Sequence, residues 1–584
     1  MTRDINDPCQ LPAAGNMNHT NGSNGLNGQN GQNSHAYDVA ESNSGTPPQV
    51  EKLDVLIIGA GFAGVYLLYQ LRRRGFTVKA VEMGSDLGGV WHWNKYPGAR
   101  VDTQYPVYCY SLPEVWEDWT WTCEYPDWAE LQRYFQHVDT KLGIKKDTVF
   151  NTKIVAAEFE ESKNTWSIRS DTGRRFQSRY FIASTGFAAK RYIPDYAGLD
   201  SFKGTMHHSS FWPSEPVNVK GKRVGVLGSG ATGIQITQEW ADEVGDTGSV
   251  KMFQRTPNLC CPMNQKTLSV QEQEAHKIKY PEWFKQRWNT VGGFLYQPRD
   301  TASSDHTPEE RQALYEDLWA IGGFRFYANN YNDMTKDLKA NREAYNFWRD
   351  KTRARIHDKT KADILAPMEP PHPFGAKRVA LEQRLYEKFN RPNIDVVDIK
   401  NHPIVRFEPE GIRTADGILH ELDILAIATG FDSLTGGLKN IAIHGLNDEL
   451  LADKWDRGTH TYLGMATARF PNFFFTYGPQ APSAFSNGAA CIEIQGDWIV
   501  ELLVRMRQEQ RQRIDVRDDA EVAWKATIHE LSAKGLRHYT DSWYNGANIP
   551  GKAREPLNYA GGIPMYRKTL NEVRDQGYSG FSLQ

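Results

Sequence analysis

Residues 52–84 read KLDVLIIGAGFAGVYLLYQLRRRGFTVKAVEMG. A short apolar run, Leu53 to Ile58, stops at Gly59. Apolar residues then recur with helical spacing to about Arg74, where Gly75 is placed to end a helix. The stretch TVKAVE follows as a second strand, so the segment predicts a β-α-β unit. Its turn, GAGFAG, has the G-x-G-x-x-G spacing. Gly59 permits a tight turn, Gly61 lets backbone approach a pyrophosphate, and Gly64 lets helix and strand pack closely. The phosphates would meet free N–H groups at the helix N-terminus.

One such hexapeptide is weak; this chain has two. GKRVGVLGSGATGIQITQEWADEV, residues 221–244, repeats the pattern with Gly228, Gly230 and Gly233, and SVKMFQRTP supplies the next strand. The ends of the two second strands separate their ligands. Glu82 closes the first and can accept both ribose hydroxyls, while an acid there repels a 2′-phosphate. Arg255 and Thr256 close the second, where a guanidinium and a hydroxyl suit a phosphate. The first site is therefore expected to take FAD and the second NADPH.

The chain has 584 residues, 40% of them hydrophobic, and a formal net charge of -3. That length predicts several domains, and the charge gives no field suited to nucleic acid. No apolar run reaches the roughly 18–20 residues of a membrane helix, and the N-terminus shows no secretory pattern. Six cysteines without a C-x-x-C pair make neither a disulfide framework nor a redox-active dithiol. A reduced, cytoplasmic protein is expected, and oxygen or an external acceptor is the expected oxidant.

Composition and pattern divide the chain as follows. Residues 1–50 are an Asn/Gly/Gln-rich tail expected to be disordered. Residues 51–205 form the first segment of an FAD domain. Residues 206–400 form an inserted NADP domain with a helical insertion at about 270–376. Residues 401–584 return to the FAD domain and end in a mobile loop. Two hairpins, in 165–186 and 412–432, each lead to a buried strand ending in Ser/Ala-Thr-Gly. The fold class is α/β, with two Rossmann-like domains, the first discontinuous.

Two longer motifs carry a resemblance. FKGTMHHSSFWP presents Phe202, Gly204, His208, Trp212 and Pro213, and GGVWHWNKYPGARVD presents Gly88, Gly89, Trp91, Tyr96, Pro97, Gly98 and Asp102. Both match the signatures of Baeyer–Villiger monooxygenases, the class B flavin monooxygenases. The resemblance runs from about Leu53 to the C-terminus and includes PFGAKR, ATGFDSLTGGL and SWYNGANIPGK.

The family implies FAD, NADPH, O2 and a ketone that becomes an ester or lactone through a C4a-peroxyflavin and a Criegee intermediate. It implies catalytic roles for Arg378 and for Asp102, which would orient it. Lys377 would join Arg255 and Thr256 around the 2′-phosphate, and Trp543 would contact the nicotinamide cofactor. Phe62, Val90, Trp91, Trp93, Tyr108 and Ile154 are expected around FAD; Ser229, Thr232 and Gln235 are expected around NADPH.

His208 is expected to act as a joint between domains. No metal site is expected, because His207 and His208 lack acidic or thiol partners at ligand spacing. Gly488, Ala489 and Ala490 predict a roomy pocket wall for a bulky ketone. Oxidation of sulfur or nitrogen, and peroxide release, are the competing activities. A monomer is compatible with the sequence.

Overall fold

The computed structural model describes residues 50–584. The predicted tail lies outside the described residues, apart from Val50, which opens the first strand. That strand runs Val50–Ile58, the helix after the first glycine turn Phe62–Arg73, and the next strand Val78–Val81. Gly75 follows the helix with a φ of +74°, the left-handed conformation its stop requires. From Val55 onward the first strand is apolar and covered on both faces. Val55 and Ile57 pack beside Leu67, Leu68 and Leu71, while Leu56 faces Trp166, Phe181 and Phe473.

The first sheet places Val50–Ile58 between Val78–Val81 and Arg175–Ala183, parallel to both. The hairpin Thr165–Ser170/Arg175–Ala183 extends this sheet as the sequence predicts, followed by Ile154–Glu160. Late segments complete it: Ala442–His444 pairs with Ile154–Glu160, and Phe473–Phe475 pairs with Arg175–Ala183. The sheet therefore draws on both ends of the chain.

The second sheet is all parallel, in the order Ile394–Asp398, Ser249–Gln254, Arg223–Leu227, Ile424–Ile427, Thr205–His208. This corrects the boundary drawn at residue 400. Ile424–Ile427 lies between two strands of the second sheet and is apolar on both faces, so this unit extends to about residue 430. The hairpin of Ile404–Glu408, Gly411–Thr414 and Leu419–Glu421 precedes it.

Helices Val270–Lys277, Tyr280–Arg287, Pro308–Ile321, Leu338–Arg353 and Lys359–Leu365 make up most of the insertion. It is stitched to the first unit by Arg287, which is wholly buried. Its Nη1 donates to Val107 O and Cys109 O, and its Nη2 pairs with buried Glu493. Removing one member of such a pair strands a charge and destabilises by about 3–5 kcal/mol. No described helix is long and apolar enough to cross a membrane.

Candidate active site

Both glycine turns open onto one cavity of about 1200 Å³. At the first turn, Gly59 and Gly61 line it, and the helix starting at Phe62 has no side-chain cap. Its first N–H groups therefore remain available to an anion. Gly64 lies behind the turn, where an added Cβ would sit 1.8 Å from Gly59 O. Gly64→Ala should therefore shift the turn and weaken FAD binding by about 10–100-fold. Flavin absorbance per polypeptide after purification measures this, and full occupancy would contradict it.

Glu82 is buried where the cavity passes this turn. Its carboxylate accepts hydrogen bonds from Ala60 N at 2.8 Å and Gly84 N at 2.7 Å. Glu82 lines the cavity here, where a carboxylate can accept from ribose hydroxyls. Phe62, Val90, Trp91, Trp93, Tyr108 and Ile154 line the adjoining wall. Trp91 Nε1 donates to Tyr108 Oη at 3.0 Å, which fixes both rings.

At the second turn, Gly228, Ser229, Gly230 and Thr232 line the cavity. Ser229 Oγ donates to Thr256 O at 2.7 Å and fastens the turn to the Arg255–Thr256 segment. Gly233 packs behind it, as Gly64 does in the first unit. Gln235 is not on the cavity wall. Its amide is occupied with Tyr96 Oη at 2.9 Å and Arg100 O at 3.3 Å, joining the two units.

Arg255, Thr256 and Lys377 share a stretch of the wall. Lys377 is pushed down to about 8, chiefly by burial and then by the charge of Arg255, with Asp541 opposing. Two cations held close enough to repel suit an anionic ligand.

Arg378 and Asp102 meet on the same cavity. Arg378 Nε and Nη2 donate to the two Asp102 oxygens at 2.8 and 2.7 Å, a bidentate pair. Burial would lower the arginine's pKa, but the Asp102 charge and hydrogen bonds outweigh it and hold the group above its ordinary value. Its Nη1 donates to Ala484 O at 3.2 Å, and its ring-facing side lies over Phe324. Trp543 also lines the cavity, stacked on Phe187 at 5.5 Å between centroids.

His208 is not on this wall. It ends a strand of the second sheet, with Nδ1 accepting from Ser210 N at 3.2 Å and its ring edge-on to Phe431. Burial first, then Arg191, pushes it down to about 4, so it is neutral. Beside it, Phe211 packs on Trp93 of the first unit while Trp212 packs on Trp240 of the second. The motif bridges the units through these rings.

Of the polar wall groups that sequence reading missed, two carry a buried atom without a partner. His372 directs Nδ1 toward Pro373 O at 3.0 Å, leaving buried Nε2 without a partner. Asn548 donates through Nδ2 to Phe431 O at 2.9 Å, leaving Oδ1 without one. Neither type has a distinctive sequence signal; only burial against the cavity reveals them. No cysteine lines the cavity among the described residues, so its donor set lacks a dithiol.

The donor set fits FAD at the first turn and NADP at the second. At the first turn Gly61 and Gly89 bring bare backbone together on the cavity wall, where a Gly61 Cβ would lie 3.3 Å from Gly89 Cα, and the acid or cation pair beyond each turn separates the two. Such a cavity defines an oxidoreductase that holds a flavin and a nicotinamide dinucleotide together.

A family profile described as pyridine nucleotide-disulphide oxidoreductase matches residues 53–279. The chain is 44% identical over 533 residues to cyclopentanone 1,2-monooxygenase of Comamonas sp., covering 91% of this chain and 96% of that protein. It is 43% identical over 522 residues to the FAD-binding monooxygenase acrE of Aspergillus aculeatus, covering 89% and 88%. A closed crystal structure of cyclohexanone monooxygenase superposes with a TM-score of 0.88 at 32% identity, covering 92% of this chain and all of that one. The chain belongs to the Baeyer–Villiger monooxygenases, FAD- and NADP-dependent enzymes with two Rossmann-like domains.

Proposed function

We propose that this enzyme uses NADPH and O2 to insert one oxygen atom beside a ketone carbonyl, releasing an ester or lactone, with Arg378 and Asp102 as the groups that act on the reacting atoms. The observation that carries this reading is the bidentate Arg378–Asp102 pair on a cavity shared by both dinucleotide turns. When bound, NADPH supplies a hydride and FAD carries two electrons to O2. The second oxygen atom leaves as water, with one proton taken up.

The protein's own part is electrostatic. A guanidinium keeps its charge at every working pH, so Arg378 can stabilise the oxyanion that forms at the ketone carbon. Asp102 holds the guanidinium plane, and Ala484 O fixes a third edge. Tyr108, Tyr477 and Trp543 cover the cavity wall with ring surface, which limits water. Lys377, Arg255 and Thr256 would hold the 2′-phosphate, with Glu82 on the flavin's ribose.

Turnover with NADPH under 18O2 and a panel of ketones tests the reading. An ester carrying one labelled atom is expected. A labelled heteroatom oxide as the sole product, or peroxide alone, would refute it.

The pocket wall bears on substrate size. Gly488 opens the helix Gly488–Gln508, capped by Asn487, and lines the cavity. An added Cβ would make ordinary contact with Tyr477, 3.5 Å from its Oη, so alanine fits and a longer side chain must pass Tyr477 and take up cavity space. Gly488→Met should lower kcat/KM for bulky ketones by about 10–100-fold and leave small ones nearly unchanged. Equal losses across the panel would remove Gly488 from the substrate wall.

A further inference from the structure

Arg378 has a fourth contact, made by its backbone. Its N–H donates to Tyr544 Oη at 2.9 Å. Tyr544 is buried, and its ring stands edge-on to Phe485 at 5.0 Å. Tyr544 is in turn held by Asn558, whose Nδ2 donates to Tyr544 O at 3.4 Å. The same Asn558 accepts from Ala484 N through Oδ1 at 3.1 Å. Ala484 O, finally, accepts from Arg378 Nη1 at 3.2 Å.

These four bonds close a ring: Arg378 to Ala484, Ala484 to Asn558, Asn558 to Tyr544, Tyr544 back to Arg378. The ring is braced from outside. Leu557 N donates to Tyr544 O at 3.0 Å, Gln480 N to Leu557 O at 2.8 Å, and Tyr559 N to Ala481 O at 2.8 Å. Trp543, one residue before Tyr544, forms part of the cavity wall.

We propose that Tyr544 is a positioning residue for Arg378: its hydroxyl ties the arginine's main chain to the segment that carries Trp543, so that the wall and the guanidinium keep one register. The proposal rests on the reading of Arg378 as the group that stabilises the oxyanion. Asp102 alone does not fix that register. The pair sets the plane of the guanidinium, yet Asp102 is 37% exposed and both partners reach the cavity on side chains that can turn together. The half-buried N–H of Arg378 finds its acceptor in the buried Tyr544, through Oη. Both ends of the arginine, amide and guanidinium, then lead through one residue, Asn558. Misplacement by about 1 Å costs on the order of 100-fold in reactions that depend on alignment.

Tyr544→Phe removes the hydroxyl and keeps the ring. The expected result is a KM-against-kcat split: kcat for ester formation falls about 10–100-fold, while KM for the ketone and the rate of flavin reduction by NADPH stay near wild type. Peroxide should account for the missing product.

A second readout is independent of turnover. Amide hydrogen exchange in the cofactor-loaded protein should quicken in the peptide containing Arg378 and stay unchanged in the peptide containing Asp102. Asn558→Asp, which keeps the acceptor for Ala484 N and loses the donor to Tyr544 O, should shift both readouts in the same direction. The double variant should cost less than the sum of the two, because both open one ring.

Wild-type coupling together with unchanged exchange in Tyr544→Phe would overturn the proposal. Arg378→Ala, run alongside, separates the two failures. If it still makes ester at the wild-type rate, the reading of Arg378 has failed. If it makes none while Tyr544→Phe behaves as wild type, only the role of Tyr544 has failed.

Discussion

Arg378→Ala should still accept hydride from NADPH at close to the wild-type rate, yet form ester at least 10²–10³-fold more slowly, by order of magnitude for a lost oxyanion donor. The two half-reactions separate because the arginine and the phosphate clamp are held by different residues. Asp102, Ala484 and Tyr544 hold the arginine, whereas Lys377 is coupled to Arg255 and Asp541. The variant leaves Asp102 without its bidentate donor, but that carboxylate is 37% exposed and water can solvate it. The fold should therefore survive. Arg378→Lys tests geometry against charge. A lysine keeps the charge and loses the planar two-point contact with Asp102, so activity should stay closer to alanine than to arginine. Stopped-flow reduction and product analysis on the same preparations decide the matter, and ester formation at the wild-type rate in Arg378→Ala would falsify the assignment.

Lys377 gives the second large effect, through pH. Without a phosphate beside it, burial and Arg255 push its pKa down to about 8. It is charged below that pH and increasingly neutral above it. A bound 2′-phosphate favours the charged form and raises the pKa again, so binding takes up a proton between the two values. NADP+ affinity should accordingly fall by up to about tenfold per pH unit above 8, until the pKa of the complex is passed. NADH, which lacks the phosphate, should show no such step. Lys377→Met should raise KM for NADPH by about 10–100-fold, the worth of one charge-assisted bond. It should also flatten the pH step and leave KM for NADH unchanged. Equal losses for both nucleotides would place Lys377 outside the phosphate site. Titration in buffers of different ionisation enthalpy measures the proton uptake directly.

Much of this molecule was legible in short windows of sequence. A turn such as GAGFAG is a local object: its glycines answer to sterics within a few residues, and Gly64 meets Gly59 O whatever the rest of the chain does. The hairpins and the apolar strands between them follow from alternation and from burial on both faces. The boundary at residue 400 failed for a nonlocal reason. Ile424–Ile427 is a buried strand by its composition, but which sheet it enters depends on its partners, Arg223–Leu227 and Thr205–His208, roughly 200 residues earlier. Gln235 was misplaced on similar grounds. Its position on the helix gives no hint that Tyr96 and Arg100 would claim its amide.

Sequence alone thus determined the α/β class, the two dinucleotide turns and the likeness to a family, because each rests on contacts between near neighbours or on a fixed motif. Tertiary structure alone decided that Asp102 reaches Arg378 across 276 residues, that both turns share one cavity, and that Tyr544 and Asn558 close a ring behind the arginine. These are meetings of side chains distant along the chain, and no local spacing encodes them.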